Sequence, residues 1–216
     1  MNRREFSAAA AVVLGASALG WPQLALAQRK MEEGKDFRTL DNKAPVESPA
    51  GKIEVVEFFW YSCPHCNAFE PKLSAWLKKL PPDVAFRRVP VAFRDDFVPQ
   101  QRLFYTLEAM GKIDDLHTKV FQEIHQNRQP TDREDRILAF VEKNGIDRAK
   151  FQELYNSFAV STKARKAKTL QDQYQVDGVP ALGINGQFYT DGTLAGGMPR
   201  ALLVADYLIG EARRAK

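Results

Sequence analysis

The chain has 216 residues, 44% of them hydrophobic, with 31 Lys and Arg against 27 Asp and Glu and only two cysteines. A formal charge of +4 without any dense Lys/Arg tract interleaved with aromatics argues against nucleic-acid binding and leaves the basic residues as solvated faces. Two cysteines in so long and apolar a chain also argue against a disulfide-stapled scaffold, because this length buries a core without cross-links.

Residues 1–27 read as an export signal: Arg3 and Arg4, an apolar stretch from Ala8 to Gly20, then Ala25-Leu26-Ala27 as the cleavage site, so that the mature chain begins near Gln28. The apolar stretch is interrupted by Gly15 and Gly20 and falls short of the ~20 residues that span a bilayer, which argues against a membrane anchor. Arg3-Arg4-Glu5-Phe6 resembles a twin-arginine signal, but a general secretory signal also starts with basic residues, and both export routes stay open. Cleavage removes two arginines and one glutamate, taking the formal charge from +4 to +3.

Gln28 to Asp36 is polar. Phe37 to Leu40 has the composition of a short edge strand, and Asp41 to Lys52, with Pro45 and Pro49, reads as a loop. Ile53 to Trp60 is nearly continuously apolar and β-prone, as expected of a strand covered on both faces at the centre of a sheet. Cys63-Pro64-His65-Cys66 follows. Phe69, Leu73, Trp76, Leu77 and Leu80 then recur at helical spacing until Pro81-Pro82, with Pro71 expected to kink the helix. Val84 to Val91 returns as a strand. Strand, helix and strand make a βαβ unit with parallel strands and a right-handed crossover, and the cysteines fall where strand becomes helix.

Residues 97–175 read as consecutive helices: Pro99 to Met110 ending at Gly111, a segment capped by Asp114, one opened by a Thr131/Glu134 capping box, one capped by Asp147 and carrying Phe151, Leu154, Tyr155 and Phe158, and a last one from Ser161 through Tyr174. Their aromatics and leucines are expected to pack a core. Gly178 to Ile184 and Gln187 to Tyr189 are two strands joined by Asn185-Gly186, a hairpin turn. Gly192 to Gly197 reads as a loop, and Pro199 opens a final helix.

The chemistry lies in the two cysteines. On one helical turn their side-chain carbons stand ~5 to 6 Å apart, close enough to close a disulfide after modest adjustment. A zinc site needs more ligands, and beyond His65 the chain offers only His117 and His125, both in the helical segment and both read as surface or satisfied histidines. A structural disulfide closing so small a loop would constrain little of the unfolded chain. A redox pair is therefore the preferred reading. Cys63, at or just before the helix start, is the expected nucleophile, its thiolate favoured by unpaired N–H groups and the helix dipole. Cys66, one turn inside, is the expected buried resolving thiol. Pro64 fits the first helical position because it has no N–H to leave unpaired, and His65 adds positive charge or a hydrogen bond. A stabilised thiolate also stabilises the reduced enzyme, so the pair should oxidise other thiols.

Val56-Glu57-Phe58-Phe59 before Cys63-Pro64-His65-Cys66, the helical segment, and Gly178-Val179-Pro180-Ala181 together resemble the DsbA-type thiol:disulfide interchange proteins of the thioredoxin superfamily, over essentially all of the mature chain. The family's low-pKa, oxidising cysteine coincides with the direction argued from the residues and is not an independent prediction. The resemblance implies an α/β thioredoxin-like fold with a mixed sheet, its first part at 28–96 and its second at 176–216, and an all-helical insertion at 97–175. It implies a cis Pro180 facing the cysteines, with the Val179 backbone pairing with extended substrate. Glu57, in an otherwise apolar strand, then reads either as a buried carboxylate handling the proton of Cys66 or as a salt-bridged or strand-end glutamate, and Glu70 with Arg88 either as a charged pair near the site or as surface charges. Trp60 and Tyr61 are candidates for peptide contact or for core.

The resemblance further implies a periplasmic monomer that uses no cofactor beyond its own Cys63–Cys66 disulfide, takes unfolded exported proteins with free thiols as substrates, and is reoxidised by a quinone-coupled membrane partner of the DsbB type. Rival readings are a disulfide isomerase or reductase of the same superfamily and a peptide-binding chaperone in which the cysteines are incidental. Isomerases carry an N-terminal dimerisation domain, whereas only Gln28 to Lys52 precedes the first central strand.

Overall fold

The computed structural model describes residues 31–215, and the export-signal reading of residues 1–27 lies outside them. Five strands form one sheet in the order β1-β5-β4-β2-β3, comprising β1 (Arg38–Thr39), β2 (Ile53–Phe59), β3 (Val84–Pro90), β4 (Ala181–Ile184) and β5 (Phe188–Asp191). β2 and β3 are parallel, joined by helix α1 (Pro64–Leu77), while β4 is antiparallel to both β2 and β5. The expected mixed sheet and βαβ unit are present, and Arg38–Thr39 is the edge strand.

All seven residues of β2 are buried, and the two faces of the strand enter two different cores. Ile53 and Val55 pack with Leu182, Ile184, Phe69 and Leu73 under α8 (Met198–Arg214). Val56 and Phe58 pack with Tyr174, Leu103 and Leu107 on the other side. Each large apolar side chain so buried contributes roughly 1.5–3 kcal/mol, which accounts for a run with almost no polar alternation. α1 continues through Pro71 and ends at Leu77, short of the expected Leu80.

The helical segment comprises a 3₁₀ turn (Asp95–Phe97), α2 (Val98–Ala109), α3 (Ile113–His125), α4 (Glu134–Lys143), α5 (Arg148–Tyr155) and α6 (Phe158–Gln173). Asp147 caps α5 as expected, its carboxylate accepting from the Lys150 amide at 2.7 Å. Three expectations are corrected. Asp114 lies inside the first turn of α3, where its charge faces the positive end, and Lys112 is the cap. The capping box fails: α4 begins at Glu134 after Arg133, and the Thr131 hydroxyl is buried, accepting from the Gln100 amide at 3.3 Å. Ser157 rather than Ser161 caps α6, accepting from Val160 N–H, so Phe158 opens α6 as an exposed residue instead of closing the face of α5.

Asn185 and Gly186 both have positive φ, and the Gln187 amide donates to Ile184 C=O at 3.0 Å, closing the expected hairpin. A Cβ on Gly186 would sit 2.3 Å from the Ala44 carbonyl oxygen, which fixes the residue type. Gly192–Ala195 is a one-turn helix, α7, where a loop was expected, because the Asp191 carboxylate accepts from the amides of Thr193 and Leu194.

Candidate active site

The chain leaves β2 at Phe59 and turns once, the Cys63 amide donating to Trp60 C=O at 3.1 Å, before α1 begins at Pro64. Cys63 is the N-cap, with extended backbone, and its sulfur accepts the Cys66 amide at 3.4 Å. Pro64 occupies the first helical position, where the lack of an N–H loses nothing. Both cysteines are free thiols; Cys66 is wholly buried and Cys63 nearly so. The Cys63 thiol also donates to Val179 C=O at 3.4 Å, and the Val179–Pro180 peptide is cis. The loop before β4 thus meets the start of α1, as the family resemblance implied.

The Cys63 pKa is lowered to about 6, first by a hydrogen bond from the Cys66 thiol, against the opposing effect of burial, then by the amides of Cys66 and His65 and last by the His65 ring. The exposed His65 therefore acts mainly through its backbone, a smaller part for its side chain than the sequence suggested. Burial pushes the Cys66 thiol far up, and the neighbouring Cys63 and the charge of Glu57 push the same way. One thiol ionises in mild acid and the other stays protonated, the division of labour of a nucleophile and a resolving thiol.

Beneath the cysteines lies a buried charge cluster. Glu57 and Arg88 are register partners across β2 and β3. Arg88 Nη2 donates to both oxygens of Glu70 at 3.1 Å, so the pair suspected from the sequence is real. Arg88 Nε also lies 3.0 Å from Glu57 Oε2, but off axis, so that neither Glu57 oxygen receives a directed hydrogen bond. Glu54, three residues earlier in the same strand, shows the contrast: it takes the Glu47 amide at 2.9 Å and two donors from Arg87 at 3.0 and 3.3 Å. Burial raises the pKa of Glu57 well above the carboxylate range, with Arg88 opposing and Glu70 adding. Burial alone would raise Glu70 as well, but His117 and Arg88 outweigh it and its pKa is lowered.

The residues ahead of Cys63 are held by side chains the sequence did not connect to the site. Tyr61 OH meets His117 Nδ1 at 2.9 Å, and His125 Nε2 meets Tyr61 C=O at 2.8 Å. Gln100 accepts the Ser62 amide at 3.2 Å and donates to the Ser62 hydroxyl at 2.7 Å. Both histidines are thus satisfied within the protein. Tyr61 is 1% exposed and unavailable for peptide contact. Trp60 is half-buried, stacked on Phe97 at 3.9 Å, with the exposed Phe93 against Phe97. A cavity of about 470 Å³ between β3, α2 and α6 is lined by Arg87, Arg88, Tyr105 and Lys163 among others and so reaches the Arg88 end of the buried charge cluster. Among its cations Lys163 is held by Glu108 at 2.6 Å, Arg87 by Glu54 and Arg88 by Glu70, and none of its lining residues is a cysteine.

With this geometry established, comparison with known proteins is specific. The model of the DSBA-like thioredoxin domain family matches residues 54–205. The thiol:disulfide interchange protein DsbA of Azotobacter vinelandii is 42% identical over 208 residues, 95% of this chain and 97% of that protein, and that of Burkholderia cepacia is 39% identical over 183 residues, 85% and 86%. The crystal structure of Pseudomonas aeruginosa DsbA superposes with a TM-score of 0.79 at 44% identity, covering 84% of this chain and 94% of that one. The chain belongs to the DSBA-like thioredoxin domain family.

Proposed function

We propose that this protein is a protein-disulfide oxidoreductase that donates its Cys63–Cys66 disulfide to reduced, newly exported proteins in the periplasm. The observation that carries this reading is the Cys63 sulfur, held by the Cys66 amide at the helix start with its pKa lowered to about 6. A thiolate so stabilised is a good leaving group, and its stability favours the reduced enzyme over the disulfide, which makes the disulfide an oxidant.

In the cycle, a substrate thiolate attacks Cys63 Sγ of the oxidised enzyme, the bond to Cys66 breaks, and Cys66 leaves as a thiolate that takes up a proton. The substrate's second thiolate attacks the substrate sulfur of this mixed disulfide, and Cys63 leaves as a thiolate. Two substrate thiols have been oxidised and the enzyme pair reduced. Glu57, buried and of raised pKa, is the proton source and sink for Cys66. The Val179 backbone and Pro180 form the edge on which extended substrate lies, and Trp60 with Phe93 offers an adjoining apolar face. No cofactor beyond the cysteine pair takes part. A quinone-coupled membrane partner of the DsbB type restores the disulfide, and the protein works as a monomer, with residues 28–96 and 176–216 as the thioredoxin-like part and 97–175 as the helical insertion.

Equilibration with glutathione buffers and oxidative refolding of a reduced substrate test this. A strongly oxidising potential with disulfide transfer lost in the Cys63→Ala, Cys66→Ala double variant is expected; a strongly reducing potential would make the protein a reductase, and peptide-binding activity untouched in the double variant would make it a chaperone.

A further inference from the structure

The buried charges under the cysteines are not equivalent, and His117 makes the difference. Glu57 from β2 and Glu70 from α1 both face the single Arg88 guanidinium from β3, so with both carboxylates ionised the trio carries a net negative charge in the interior. Burial favours one carboxylate staying neutral. Glu70 receives two hydrogen bonds from Arg88 and lies 3.2 Å from His117 Nε2, whereas Glu57 has no directed donor. The tautomer of His117 follows from its partners. An ionised Glu70 only accepts, so Nε2 carries the hydrogen; Nδ1 is then bare and accepts from the Tyr61 hydroxyl at 2.9 Å. A neutral imidazole satisfies both contacts, and burial holds His117 to that form by lowering its pKa.

We propose that His117 is a positioning residue for the redox site: by donating Nε2–H to Glu70 it places the one proton shared by the two carboxylates on Glu57, where it serves Cys66. The proposal rests on the dithiol reading above. When a substrate thiolate attacks Cys63, the electron pair of the broken S–S bond goes to Cys66 Sγ and the Glu57 carboxyl proton passes to it, leaving a thiol and a carboxylate. Without the His117 donor, Glu70 competes for that proton and Arg88 turns toward an ionised Glu57. The groups facing this exchange are Tyr61 from the turn before Cys63, Cys66 and Glu70 from α1, Arg88 from β3, and Asp114 on the helix that carries His117.

The test follows the glutamate carboxyl carbons by NMR against pH in the reduced protein, with Glu57 assigned by its loss in E57Q. His117→Leu should lower the Glu57 titration by about one pH unit or more and raise that of Glu70. H117Q, whose side-chain amide still donates to Glu70, should keep the wild-type order. H117N, which retains an acceptor for Tyr61 without reaching Glu70, should behave like H117L and serves if H117L does not fold. A folded H117L or H117N with unchanged Glu57 titration and an intact low-pKa Cys63 thiolate would overturn the proposal and reduce His117 to packing. A wild-type Cys63 that titrates like an ordinary thiol would instead sink the dithiol reading on which the proposal stands.

Discussion

The Cys66 amide donates to the Cys63 sulfur across 3.4 Å, so the residue that caps α1 is also the one whose charge the start of that helix stabilises. The same geometry links redox state to stability. The Cys63 pKa falls from 9.0 to about 6 on folding, so its stabilising contribution is complete above the unfolded value and is lost as pH falls through about 6. At pH 7 the contribution is of order 1 kcal/mol after allowance for solvent screening. The reduced protein is therefore expected to melt above the oxidised protein at neutral pH, with the gap closing toward pH 5. Thiolate absorbance near neutral pH should reveal one titrating cysteine, since Cys66 is pushed the other way. A reduced form that melts below the oxidised one at pH 7 would refute this.

Glu57→Gln is predicted to stabilise the fold while slowing turnover. The carboxylate is fully buried without a directed donor, and Arg88 keeps Glu70 as its partner after the substitution. Its raised pKa gives the opposite sign to Cys63: the contribution is fully present below the unfolded value and is lost as pH rises through the folded one. Urea unfolding should show E57Q more stable by roughly 1–3 kcal/mol at pH 8, with the difference shrinking at pH 5. Stopped-flow formation of the mixed disulfide with a model substrate, the step in which Cys66 leaves and takes up a proton, should slow by about tenfold or more. A variant less stable at pH 8 and unimpaired in mixed-disulfide formation contradicts both parts.

A change far from the site supplies the control. Asp147 is exposed and accepts the Lys150 amide at 2.7 Å at the start of the eight-residue α5. Asp147→Ala should cost about 1 kcal/mol, a fall in melting temperature of roughly 2–4 °C for a chain of this size. The Cys63 titration and the glutathione equilibrium should be unmoved, and a shift in either would mean that α5 is coupled to the redox pair.

What the sequence disclosed, and what it did not, follows from the range of the interactions involved. Ile53 to Phe59, the cysteine pair, Asn185-Gly186 and Pro199 are governed by neighbours within a few residues, and each stands where local pattern put it. Thr131 misled because a hydroxyl suited to a cap found a tertiary partner in Gln100. Ser161 misled because Ser157 offers the same capping chemistry one turn earlier. Tyr61, Glu70 and His117 belong to three separate elements, and no spacing in one chain signals that they meet. Glu57, an acid within a mostly apolar strand, and the suspected Glu70–Arg88 pair were the legible hints of the buried network.

Gly183 gives a last test, of packing between β4 and the end of the helical segment. A Cβ there would lie 2.4 Å from Tyr174 Cε1 and 2.7 Å from Cζ. The ring has nowhere to retreat: Tyr174 is fully buried, tilts against Phe58 at 5.1 Å, and its hydroxyl accepts the Gly186 amide at 2.9 Å. Gly183→Ala should therefore destabilise by about 1–3 kcal/mol, although alanine is ordinarily tolerated in a strand. If the clash is the cause, removing the ring must relieve it. Tyr174→Ala alone should cost several kcal/mol, and the double variant should fall short of the sum of the two by about 1 kcal/mol or more. Additive losses in chemical denaturation would place the cost of Gly183→Ala in the strand backbone, and β4 would then hold its register beside Pro180 without the support of Tyr174.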